Sequence, residues 1–170
     1  MSSGSFRTRL QLSHKAGHYI ERVIGNPVFL TKQDPLMHQI LIYLKQSPRK
    51  NDKKLLETQV VFPYAIEVRL TEDLFLRNGH TFTMTAMSYI DNLIRKKINE
   101  ELFLSIDVSV NAAIEERRSI LKRAIEAYCD VRDLDPDIFK YDSLKRAYLR
   151  FRNERKVVKK SNNSLAILSP

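Results

Sequence analysis

Residues 140–160 read KYDSLKRAYLRFRNERKVVKK, and their spacing decides what kind of element closes the chain. At about 100° per residue, Tyr141, Leu144, Ala147, Tyr148 and Phe151 fall within roughly a third of a helical wheel. That stripe predicts an amphipathic helix over 142–160, with Asp142 as a suitable N-cap. Lys145, Arg146, Arg150, Arg152 and Lys156 occupy most of the remaining circumference, whereas Arg155 and Lys159 return to the apolar stripe. The early turns can dock on a core, and the last turns should project from it. Nine cations stand in this segment against only Asp142 and Glu154, a local charge of +7 in a chain whose total is +9.

Moving toward the N-terminus, the polar break Asp130–Asp137 separates this helix from another predicted over 111–129, with Ile114, Leu121, Ile125 and Tyr128 inward. Two helices joined by a polar turn suggest a helix-turn-helix-like pair, in which the first helix braces and the second faces the groove. Before them, Thr83 or Thr85 opens a long helix whose stripe is Met87, Ile90, Ile94, Ile98 and Leu102. From Thr58 to Leu70 the period changes: Val60, Phe62, Tyr64, Ile66, Val68 and Leu70 alternate, as in a strand. Pro63 interrupts the run and marks it as an edge strand or two pieces. Such an edge could pair with a second copy of the chain, which allows a homo-oligomer.

Short helices complete the pattern. Ser13 caps one that ends at Gly25-Asn26-Pro27, Asp34-Pro35 starts another, and Thr71 caps a third that stops at Asn78-Gly79. Residues 1–12 read as a mobile basic arm carrying Arg7 and Arg9, residues 49–54 as a polar loop, and 161–170 as a flexible tail. The fold class expected is mainly α, five to six helices with one short strand or strand pair. Residues 13–160 form a single domain, with a subdivision allowed near 49–57.

Charge points to the partner class. Residues 1–56 carry +7, 57–139 carry −5 and 140–160 carry +7, so two cationic ends flank a weakly acidic middle. This asymmetry favours a polyanion, above all nucleic acid. Arg146, Arg150 and Arg152 suit base edges or paired phosphate oxygens, because a guanidinium can make two parallel hydrogen bonds. Lys145, Lys156, Lys159 and Lys160 suit backbone phosphates, as does the projecting Arg155. Tyr148 and Phe151 read as core anchors. A ribbon-helix-helix reading of the strand would place Gln59, Glu67 and Arg69 toward DNA, and Glu67 would repel phosphate there.

Reaction chemistry finds little footing. His14 and His18 lie at i, i+4 without an identifiable third ligand, and His38 and His80 are isolated. Glu115-Glu116 beside Arg117-Arg118 reads as a solvated helix face. Cys129, the only cysteine, sits in an apolar helical register and reads as a small core residue. With no phosphate-cradling glycine loop, nucleophile elbow or metal-spaced cysteine set, the expectation is a protein that is no enzyme and needs no cofactor or metal. No secretory pattern or membrane-length apolar run is present, so a cytoplasmic location is expected.

Three stretches, IEVRLTEDLFLRNG (66–79), TAMSYIDNLIRKKINEEL (85–102) and FKYDSLKRAYLRFR (139–152), make residues 66–155 resemble uncharacterised helical proteins of phages and mobile elements from Bacteroidetes-type bacteria. The resemblance implies association with a mobile element and DNA handling, and brings no catalytic residues. Together these readings lead to a DNA-binding accessory protein that contacts duplex phosphate through helix 142–160. The alternatives are RNA, or a structural component whose basic helix docks on an acidic protein surface.

Overall fold

The structure, a computed structural model, describes residues 5–44, 62–112 and 117–166, with the backbone alone for 5, 110–112, 117–119 and 156–166. The chain divides into two compact units, Met1–Lys97 and Ile98–Pro170. The division falls within a continuous helix, and 49–57, where a subdivision was allowed, lies outside the described residues. The architecture is mainly helical, as expected, with six helices and a small sheet among the described residues.

In the first unit the elements run β1 (Ser5–Leu12), α1 (His14–Val23), β2 (Val28–Phe29), α2 (Pro35–Ile42), β3 (Tyr64–Thr71), α3 (Glu72–Asn78) and the first turns of α4 (Met84–Ala112). Residues 5–12 are thus a strand and not a mobile arm. Phe6, Thr8, Leu10 and Leu12 alternate with Arg7, Arg9 and Gln11, and this period puts one set on the core side. β1 pairs antiparallel with β3 along its full length, from Ser5↔Thr71 to Leu12↔Tyr64. β2 pairs parallel with the other side of β3, giving a three-stranded sheet of order β1-β3-β2 where one strand or a strand pair was expected.

β3 is therefore the central strand, which overturns its reading as an edge. Pro63 lies one residue before the strand begins, so its missing N–H removes nothing from the ladder. The 58–61 part of the predicted strand lies outside the described residues. Leu10, Leu12, Val28, Ile66, Val68 and Leu70 are buried on one face. The other face carries Arg7, Arg9, Phe29, Glu67 and Arg69.

Helix starts follow the cap chemistry. Ser13 Oγ accepts from Ala16 N at 3.4 Å, Asp34 Oδ1 from Met37 N at 2.9 Å, Thr71 Oγ1 from Leu74 N at 3.4 Å and Thr83 Oγ1 from Ala86 N at 3.2 Å. α1 ends at Gly25, whose φ of 107° suits glycine and whose N–H reaches Ile20 O at 3.0 Å. A buried Asp91 on α4 accepts the Ser13 N–H at 2.8 Å and so ties α1 to α4 within this unit. Gly17 lies directly under Tyr64, whose hydroxyl donates to Glu21 one turn further along α1. That bond, then burial, pushes the Tyr64 hydroxyl up to about 12.

The second unit holds the rest of α4, α5 (Arg117–Val131) and α6 (Tyr141–Ala166). The predicted stripe Met87, Ile90, Ile94, Ile98 and Leu102 is buried throughout, and Phe103 and Ile106 extend it. α4 therefore runs further than its predicted stripe, to Ala112, and α5 begins at Arg117 instead of 111. On α5, Ile120, Ala124, Ile125 and Tyr128 are buried, Leu121 is half-buried, and Ile114 lies outside the described residues. The Tyr128 hydroxyl donates to Ile98 O at 3.2 Å.

α5 closes in a Schellman arrangement. Leu134 N reaches Cys129 O at 2.9 Å, Asp133 N reaches Asp130 O at 3.1 Å, and Asp133 takes φ 50°. Leu134 and Phe139 are buried, so the connection 132–140 is pinned at both ends.

Candidate nucleic-acid interface

α6 starts at Tyr141, one residue earlier than expected, with Ser143 N and Leu144 N both reaching Lys140 O. Asp142 consequently sits inside the first turn, where its carboxylate still favours the positive helix end. The helix continues to Ala166, beyond the expected end at 160, so residues 161–166 extend it where a flexible tail was expected. Its docked side is the predicted one. Leu144 and Tyr148 are buried, Phe151 is half-buried, and Phe103 of α4 stacks on Phe151 at 4.4 Å between ring centroids. Tyr148 and Phe151 are core anchors, as read from the spacing.

The cations divide into two groups. Arg146 and Arg150 are exposed one turn apart, and Lys145 and Arg152 flank the docked side half-exposed. Lys145 Nζ lies 5.6 Å from the Tyr141 ring centroid. Among the described residues no carboxylate lies within ion-pair distance of these four. Together they span roughly 160° of the wheel at 100° per residue. Leu149, 39% exposed, lies among them.

Arg155 behaves differently. Its guanidinium donates to Asp107 Oδ2 at 3.1 Å and lies 5.1 Å from the Phe151 ring centroid. Asp107 Oδ1 also accepts from the Tyr148 hydroxyl at 2.9 Å. Burial and this carboxylate raise the Tyr148 hydroxyl above the usual phenol range. Arg155 thus pairs with a carboxylate of α4, unlike the other four cations, while its side chain stays 62% exposed. Its position on the apolar stripe explains why: the helix is still docked at that turn, and the stripe there meets a carboxylate. For Lys156, Lys159 and Lys160, only the helical backbone is described.

No family model, curated protein or solved structure matches this chain. The site is therefore defined by its own geometry. Among the described residues no helix is long and apolar enough to cross a membrane, and no His/Cys/Asp/Glu group is arranged to hold a metal ion. Cys129, read from the spacing as a small core residue, is half-buried. His14 is in edge-on contact with Tyr64, a packing role. Asp107 was not found from the sequence, although Phe103 and Ile106 continue the i, i+3/i+4 stripe that would have carried the helix to it.

Proposed function

We propose that this chain is a non-enzymatic DNA-binding accessory protein of a phage or mobile element, with α6 as its principal contact. α5 braces α6 in a helix-turn-helix-like manner, and Arg146 and Arg150 face the duplex, flanked by Lys145 and Arg152. The observation that carries this reading is the exposure of these cations on one helix without carboxylate partners among the described residues. Free cations displace condensed counterions from a phosphate backbone, and that release drives binding with little sequence information. The resemblance of residues 66–155 to mobile-element proteins supports the biological setting.

A second reading rests on a different observation. Leu104 and Val108 are 67% and 64% exposed one turn apart on α4 in the same unit as α6. Exposed apolar side chains in the same unit as a basic helix suit an acidic protein partner, as in a structural or assembly component.

The test is competition at fixed salt among random duplex, single strand, folded RNA and an acidic protein. The DNA reading expects duplex binding that weakens when Arg146→Ala and Arg150→Ala are combined. Duplex binding that is absent, or indifferent to that pair in a folded variant, would overturn it, and retention of the acidic protein alone would establish the second reading.

A further inference from the structure

The outer face of the first unit's sheet carries chemistry separate from α6. Arg7 and Arg69 are cross-strand partners, and Arg9 stands opposite Glu67. Glu67 takes a hydrogen bond from Arg69 Nε at 2.9 Å and lies 3.8 Å from Arg7 Nε. The Arg69 bond, with the fields of Arg7, Arg69 and Arg9, holds the Glu67 carboxyl below its usual range. One carboxylate therefore contacts two guanidinium groups, with a third acting through its field, and neutralises only one charge, leaving the face cationic. Beside them Phe29 is 56% exposed, opposite Arg69 in register, with the Arg69 guanidinium 5.4 Å from its ring centroid.

A large exposed aromatic in a two-residue strand contributes nothing to the core, which lies on the opposite face. A flat ring flanked by guanidinium groups is the composition of a base-stacking platform with phosphate contacts alongside. Such a face suits unpaired bases, whose ring faces are open, better than a duplex, whose paired bases hide theirs within the stack. We infer that this sheet face binds single-stranded nucleic acid, one base stacking on Phe29 and the adjoining phosphates meeting Arg7 and Arg9. Arg69 lies over one face of the Phe29 ring and leaves the other to the base, and Glu67 offsets the mutual repulsion of Arg69 and Arg7 in the absence of ligand.

The inference does not depend on the α6 reading. Fluorescence anisotropy on the full chain, with labelled oligo(dT), oligo(rU), a duplex and poly-glutamate, tests it. Single strands should bind, with the two sugars reporting whether DNA or RNA is preferred. Phe29→Ala should weaken that binding about 5- to 150-fold, the equivalent of about 1–3 kcal/mol of stacking. Phe29→Tyr should retain it, and Arg7→Ala with Arg9→Ala should flatten its salt dependence. Arg146→Ala with Arg150→Ala should lower duplex binding and leave single-strand affinity unchanged. The inference is overturned if single strands do not bind, if Phe29→Ala binds as well as the parent, if poly-glutamate binds equally well, or if single-strand affinity follows Arg146 and Arg150.

Discussion

Gly17→Ala should destabilise the first unit, although it places a better helix former inside α1. A Cβ at this position would lie 2.7 Å from Tyr64 Cβ and closer still to Cγ and Cδ1. Tyr64 sits in the central strand and cannot swing away without leaving Glu21. Overpacking of this kind costs about 1–3 kcal/mol, and a lost hydrogen bond about 1 kcal/mol more. Replacing glycine with alanine in a helix returns about 1 kcal/mol. The net expectation is a loss of about 1–3 kcal/mol, read as a lower urea midpoint with a helical spectrum retained. In a Tyr64→Ala background the penalty should shrink by at least about 1 kcal/mol, since only the Cβ contact remains. A Gly17→Ala protein as stable as the parent, or a penalty unchanged by Tyr64→Ala, would refute the packing described for α1 on β3.

Three further outcomes follow from the same geometry. Asp107→Asn keeps an acceptor for Tyr148 but releases Arg155, so duplex affinity should rise and the salt slope steepen by about 0.9, one more phosphate contact. Asp34→Ala should cost about 1 kcal/mol in denaturant melts, because its carboxylate caps α2 at Met37 N. Tyr64 titrates at about 12, against 10.0 for a free phenol. The unfolded chain therefore loses this proton first, and stability is complete below pH 10 and declines between 10 and about 12. Tyr64→Phe should lessen that alkaline decline when stability is measured across the same pH range.

Much of the helical framework was legible because local chemistry decides it. Ser13, Asp34, Thr71 and Thr83 each bond a backbone N–H three residues on, and Gly25 and Gly79 take positive φ. The α4 stripe was legible for the same reason, being a strict helical period. The sheet was harder. β1 has a period-two pattern, but Arg7 and Arg9 drew attention to charge, and only pairing with β3 reveals that they occupy a sheet face. β2 is two residues long, below the reach of any periodicity. Pro63 argues against a central strand only if it lies inside the ladder, and the register places it just outside. On α6 the wheel placed Arg155 correctly on the apolar side, but its partner Asp107 belongs to another helix, and such pairs are set by tertiary packing.

We propose that α6 holds duplex DNA through Lys145, Arg146, Arg150 and Arg152. The most direct test is the slope of log affinity against log salt for duplex binding, comparing the parent with a folded variant carrying alanine at all four positions. With about 0.9 released counterions per phosphate contact, the slope should become shallower by roughly 3–4 as affinity collapses. An unchanged slope and affinity in that variant would contradict the account.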